Sequence, residues 1–199
     1  MSLQERAAWD ERFRTGDHAI PEPDPFLAQL EEYADLLPPG RRVGGPKAGG
    51  PKALDLACGA GRNAVCLAEK GWDVTAFDIS LEGLRKAQEL ARERGVEIKL
   101  LCVDLERALL PRNHFDLIIC FFYLQRELFP EIKASLRPQG LVLYRTYTVD
   151  QLPFRGRPRH PLHLLQPQEL LEAFRDFRVL HYQEVLRDRG VAQLIAQKW

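Results

Sequence analysis

From residue 53 onward, apolar and polar positions alternate between two rhythms. Short apolar runs of strand length give way to longer segments whose apolar residues recur at helical spacing. A first strand is predicted over 53–57 and a helix over 62–70, closed by Gly71. A second strand, 73–77, ends at Asp78, and Ser80 then caps a helix with Leu81, Leu84, Ala87 and Ala91 on one face, stopped at Gly95. A third strand spans 97–102, and a fourth, 115–121, is apolar enough to be buried on both faces. A helix over 124–135 and a fifth strand over 141–147 follow. This order predicts an α/β fold with a doubly wound, mainly parallel sheet. The alternation breaks at the end, where 177–186 and 191–198 read as two strands joined by Arg187-Asp188-Arg189-Gly190, an antiparallel hairpin.

The first forty residues read differently. Trp9 and Phe13, then Phe26, Leu27, Leu30, Tyr33, Ala34 and Leu37, follow a helical period broken by Pro21-Glu22-Pro23-Asp24-Pro25. Pro25 suits the first turn of the second of these helices. A tandem repeat comes next, Gly44-Gly45-Pro46-Lys47-Ala48 and Gly49-Gly50-Pro51-Lys52-Ala53, which buries little and reads as a connector without assigned function. The expected organisation is a helical cover over 1–40, a connector over 41–53 and the main domain over 54–199.

Composition narrows the classes of partner. Lys plus Arg equals Asp plus Glu at 28 each in 199 residues, so no global charge draws the chain to nucleic acid or an anionic membrane. The start, Met-Ser-Leu-Gln-Glu-Arg, has no basic segment followed by an apolar run, and no apolar stretch approaches spanning length; a cytoplasmic protein is expected. Cys58, Cys66, Cys102 and Cys120 lack metal-ligand spacing and read as reduced, buried thiols, and the five histidines are scattered, so no metal is expected.

Candidate chemistry gathers at the strand ends. In Leu54-Asp55-Leu56-Ala57-Cys58-Gly59-Ala60-Gly61 a buried strand carries a carboxylate and breaks into a glycine loop that opens a helix. Gly59 and Gly61 are expected to let the backbone approach a ligand, and Asp55 would repel a pyrophosphate but attract an ammonium group. Asp78, ending the second strand, suits a pair of ribose hydroxyls, and Asp104 with the Leu105 backbone suits an adenine amine. The loop also matches G-x-G-x-x-A, which keeps a NAD-binding oxidoreductase as an alternative. No Tyr-x-x-x-Lys pair accompanies it.

Residues 54–63, with Leu67-Ala68 and the run from Gly71 to Asp78, resemble the class I S-adenosylmethionine (SAM)-dependent methyltransferases. Within them the chain is similar to the tellurite-resistance-type small methyltransferases, whose loop also runs glycine-Arg-Asn. The resemblance implies a Rossmann-like, seven-stranded sheet with its last strand antiparallel, SAM as cofactor and S-adenosylhomocysteine as product. It also implies an N-terminal segment that helps close the site. The cofactor-binding set expected on this basis is Asp55, Ala57, Cys58, Gly59, Gly61, Asn63, Asp78, Ile79, Asp104, Leu105 and Cys120. Ala57 stands where many members carry glycine.

The implied reaction is in-line transfer of the sulfonium methyl to a small-molecule acceptor. Cys120-Phe121-Phe122-Tyr123 follows the fourth strand in place of an Asn-Pro-Pro-aromatic signature, which argues against nucleobase or glutamine nitrogens. Tyr123, Arg126, Arg159 and His160 are the substrate-side candidates, and 154–161, which includes Arg157, is a candidate lid against an anionic acceptor. No nucleic-acid groove is expected, and oligomeric state is not read from these residues. A SAM-binding protein of the same fold without transferase activity, a sensor or partner subunit, is the second reading.

Overall fold

The apolar runs become strands and the helical segments cover them. The computed structural model describes residues 3–16, 22–43, 50–156 and 158–199. Among these, β1 (Lys52–Leu56), β2 (Asp73–Asp78), β3 (Lys99–Cys102), β4 (Phe115–Phe121), β5 (Leu136–Tyr147), β6 (Arg178–Val185) and β7 (Val191–Gln197) form one sheet. Its order is β3-β2-β1-β4-β5-β7-β6, parallel except where β7 pairs antiparallel with β5 and β6. The expected seven-stranded architecture and terminal hairpin are therefore present. Order reverses between β1 and β4, so their carboxyl ends part to leave a crevice there.

Two apolar layers flank the sheet. On one face Leu54, Leu56, Ile118, Cys120 and Tyr144 pack with Phe129 and Ile132 of α5 (Leu128–Ser135) and Leu170 of α6 (Glu169–Ala173). On the other, Ala53, Leu117, Ile119 and Leu143 meet α3 (Arg62–Glu69), α4 (Leu81–Glu93) and the stretch holding Phe26, Leu27, Leu30 and Leu37. All seven residues of β4 are buried, Asp116 among them, its Oδ2 accepting the Lys52 amide and Arg137 Nη1. Each such Leu or Ile contributes roughly 1.5–3 kcal/mol by leaving water.

The N-terminal cover is helical, with shorter elements than its period suggested. The first helix, α1 (Leu3–Thr15), lies against α4. Asp10 Oδ1 there accepts both the Ser80 hydroxyl, at 2.6 Å, and the Glu82 amide, at 3.2 Å, doubling the cap that Ser80 already supplies to Gly83. Residues 25–29 form a 3₁₀ turn capped by Asp24, continued by the single turn of α2 (Leu30–Tyr33). The repeat falls mostly on 44–49, outside the described residues, as does Pro21. Its last residues are not connector: Pro51 is buried and Lys52 opens β1.

Other boundaries moved for local reasons. The helix expected over 124–135 begins at Leu128 because Phe122 takes a left-handed φ of 58° and the chain turns through 125–129 before coiling. β5 starts at Leu136, which pairs with Phe115 ahead of a bulge carrying Gln139 at φ 65°. β3 starts at Lys99 rather than 97. α6 was not anticipated; it is five residues long, below the length at which periodicity speaks.

Candidate functional site

The carboxyl ends of β1, β2, β4 and β5 frame a cleft of about 1410 Å³, roofed in part by Glu5, Trp9 and Phe13 of α1. Its floor on one side is the glycine loop. Ala57, at φ 56°, and Gly59, at φ 55°, turn the chain sharply out of β1, and Gly61, at φ 78°, opens α3.

The room made by the two loop glycines is taken by protein. A Cβ on Gly59 would stand 3.1 Å from Phe13 Cζ, and one on Gly61 would stand 2.6 Å from the Cβ of Ala87. A Cβ on Gly83 would meet the opposite edge of the same Phe13 ring, at 3.0 Å. Gly59 and Gly83 thus form a slot for Phe13, and Gly61 lets α3 approach α4. Packing is thus one use of both loop glycines, beside the ligand approach expected of them. Gly59 lines the cleft all the same, whereas Gly61 is not among its lining residues.

Asp55 is a carboxylate of the core. Strand alternation puts it on the face covered by α3, and it is 1% exposed. It accepts the Ala64 amide in the first turn of α3, whose N-cap Gly61 has no side chain to do so. Oδ2 has no hydrogen-bond partner among the described residues. Burial first, then the Asp78 carboxylate, pushes the Asp55 carboxyl up to about 8, against hydrogen bonding to Ala64 and the Arg62 charge. Its direct contact with a ligand in the cleft was expected; the structure instead sets it beneath the loop, outside the lining.

Asp78 does face the cleft. Oδ2 accepts the Gly59 amide and Oδ1 the Ser80 amide, both at 2.8 Å, so the carboxylate ties the loop to the head of α4 and is held in one orientation. Burial raises its pKa despite these bonds. Ile79, Val103 and Leu105 add an apolar margin beside it, with Glu106 beyond. Asp104 lies between two lining residues without lining the cleft, and its Oδ1 accepts the Glu106 amide at 3.0 Å.

The cysteines divide. Cys58 lines the cleft, yet burial holds its thiol well above the ordinary range, so it remains protonated. Cys120, expected near the cofactor, is fully buried in the core; its thiol is pushed up to about 12 and donates toward Tyr123 O at 3.8 Å. Cys102, expected to be buried, is exposed on the edge strand β3. No group of three metal-ligating side chains occurs among the described residues.

On the far side stand Phe121, Phe122, Tyr123 and Tyr147. Burial lifts the Tyr123 phenol above its usual range, which keeps it protonated, while its backbone carbonyl accepts Tyr144 OH at 2.9 Å. Arg126 does not reach the cleft. It grips Glu169 through two hydrogen bonds, 2.5 and 2.9 Å, and donates to the carbonyls of Leu162 and Leu164, so it fastens α6 and the preceding loop. Arg159 and His160 do line the cleft. Arg159 donates to Leu152 O and Phe154 O, and His160 Nδ1 accepts the Leu162 amide. Arg157 lies outside the described residues.

Among the lining residues that escaped the sequence, one pair joins two distant elements. Asp24 accepts Arg145 Nη1 at 2.5 Å across 121 positions, and the Asp24 amide donates to Asn63 Oδ1 at 2.8 Å. Neither Asp24 nor Arg145 sits in a motif. The only hint was a lone cation within the apolar run of β5.

A family model described as a methyltransferase domain matches residues 53–140. The chain is 26% identical over 140 residues to the probable S-adenosyl-L-methionine-dependent methyltransferase TehB of Haemophilus influenzae, 67% of this chain and 48% of that protein. It is 31% identical over 147 residues to the glycine/sarcosine N-methyltransferase of Halorhodospira halochloris, 68% of this chain and 48% of that one. The chain thus spans about half the length of these relatives. The crystal structure of TehB from Haemophilus influenzae superposes with a TM-score of 0.70 at 21% identity, covering 96% of this chain and 67% of that one.

Proposed function

This chain carries a class I, SAM-dependent methyltransferase domain similar to that of TehB, and on that premise we propose that it transfers a methyl group from SAM to a small-molecule acceptor. The observation that supports it most is the pair of carboxylates at the glycine loop. Asp78 stands at the end of β2 with both oxygens fixed by backbone amides and its edge toward the cleft. Asp55 lies buried beneath with one oxygen unpartnered among the described residues. A rigid carboxylate suits vicinal hydroxyls.

These residues fit the cofactor. In this reading Asp78 holds the ribose, Ile79, Val103 and Leu105 flank the adenine with Asp104 behind them, and the Ala57–Gly59 backbone with Asn63 faces the amino-acid end. When bound, SAM supplies an activated methyl on a sulfonium. The protein's part is then alignment and exclusion of water. Trp9 and Phe13 cover the loop, and Phe121, Phe122 and Tyr147 form an apolar wall for the acceptor. Burial raises both the Tyr123 phenol and the Cys58 thiol, which favours their protonated forms. His160, whose Nδ1 is occupied by the Leu162 amide, and His163, its ring 5.8 Å away, are candidates for taking a proton from an acceptor, with Arg159 beside them. A small molecule, not a nucleic acid, suits an enclosed wall of this kind, and no helix among the described residues is long and apolar enough to cross a membrane.

The test is calorimetric titration with SAM, S-adenosylhomocysteine and NAD, alongside Asp78→Ala. SAM binding that is lost in the variant and absent for NAD supports the reading, and release of S-adenosylhomocysteine in an acceptor screen completes it. NAD binding without SAM binding overturns it.

A further inference from the structure

We propose that Arg145 is the acceptor-binding residue and that the methyl acceptor is an anion bearing a carboxylate or a similar oxyanion. This inference rests on the methyltransferase reading above. Arg145 lies on β5, opposite Phe121 of β4 and Gln193 of β7, and its side chain lines the cleft. Asp78 and the glycine loop belong to β2 and β1, on the other side of the crevice. The cation is therefore on the half of the cleft left to the acceptor.

Its guanidinium is held on two sides, with 14% of the side chain left exposed. Nη1 is committed to Asp24 Oδ1 at 2.5 Å. The plane rests against Phe122, 5.4 Å from the ring centroid, and that ring lies 5.1 Å from Tyr147. Nε is buried with no hydrogen-bond partner among the described residues. An orphaned buried donor is costly, and the Nε–Nη2 edge is the one that takes a carboxylate with two parallel hydrogen bonds.

The local charge points the same way. Asp24 stands between two arginines, with Arg62 Nη2 3.9 Å from its other oxygen. Two cations against one carboxylate make this end locally positive, within a lining whose five arginines are matched by five carboxylates. Phe122 reinforces the case from its backbone. A bulky residue at φ 58° is uncommon and strained. That conformation is closed by its amide on Arg145 O at 2.7 Å and brings the ring under the guanidinium. Strain is thus held where it orients Arg145.

The experiment measures benzoate and benzamide binding calorimetrically, with S-adenosylhomocysteine saturating, in the parent protein, Arg145→Met and Arg145→Lys. Benzoate should bind about tenfold tighter than benzamide in the parent, the preference should vanish in Arg145→Met, and Arg145→Lys should keep only a minor part of it, since an ammonium cannot make the paired bonds. S-adenosylhomocysteine affinity should stay unchanged in both variants, which also reports that they fold. Should Arg145→Met fail to fold, Arg145→Lys decides alone, because it keeps a cation opposite Asp24. Equal binding of the two probes by the parent, or a preference that survives in the variants, overturns the inference. So does loss of S-adenosylhomocysteine binding in variants that still unfold cooperatively, which would give Arg145 to the cofactor's carboxylate. A parent protein that does not bind S-adenosylhomocysteine at all would instead remove the methyltransferase reading, and this inference with it.

Discussion

Phe13 occupies the space that a side chain on Gly59 would need, its Cζ only 3.1 Å from where that Cβ would stand. Gly59→Ala therefore meets a clash and a φ of 55° together. It should destabilise the protein by about 1–3 kcal/mol, measured by urea unfolding. Gly59→Ala combined with Phe13→Leu should recover the steric part and leave the backbone part. If the double variant is no more stable than the sum of the two singles, Phe13 does not fill the slot.

A second prediction concerns pH. The Asp55 carboxyl is raised from its ordinary 3.8 to about 8, so between these values the folded state holds a proton that the unfolded state has lost. Stability contributed by neutral Asp55 is complete below about pH 4 and declines as pH rises through about 8. Asp78 is raised too and adds in the same direction. Unfolding midpoints in urea should therefore fall from pH 5 to pH 8.5, and Asp55→Asn should flatten the decline. An unchanged slope in the variant would show that Asp55 ionises normally.

Thiol reactivity should follow burial. Cys102 is exposed and should react with Ellman's reagent within minutes at neutral pH, Cys66 more slowly. Cys58 and Cys120 should react only on unfolding, because burial keeps both protonated. Mass mapping of the modified peptides gives the order, and early labelling of Cys58 would mean that the loop opens.

Arg126 gives a prediction at a distance from the cleft. Its paired hydrogen bonds to Glu169 are partly exposed, so Arg126→Ala should cost only about 1 kcal/mol in global stability. Its larger effect should be local, since two further hydrogen bonds hold the carbonyls of Leu162 and Leu164. Limited proteolysis should cut 152–166 faster in the variant, and Arg126→Lys should rescue little, because the fork is lost. Equal cleavage rates would deny it that role.

Much of this was legible in the residues. The strand β4 could be bounded to the residue, since Leu117 to Phe121 are apolar without a break and Phe115 extends that run past Asp116. Asp78 could be placed in the cleft because a strand that breaks at an acid before a Ser cap leaves that acid at the sheet's carboxyl edge. Asp55 was recognised as unusual, but strand spacing alone does not say which helix covers it, and so its task as acceptor for Ala64 was hidden. Arg126 and Cys120 looked like site residues by proximity to β4; the one turned to Glu169 and the other into the core. The Asp24–Arg145 pair joins positions 121 apart, and no local rhythm records such a contact. Phe122's φ was equally silent, for nothing in an aromatic residue advertises a left-handed backbone.

The sheet's reversal between β1 and β4 has a consequence for descent as well as for chemistry. Residues that would grip a common donor sit on one bank of the crevice, and those that would choose a recipient sit on the other, each carried by strands whose buried leucines and isoleucines take no part in either task. Drift on the β4 and β5 bank can therefore redirect the protein to a new recipient while the opposite bank is untouched. The limit on that drift is the reserve of stability held in the two apolar layers.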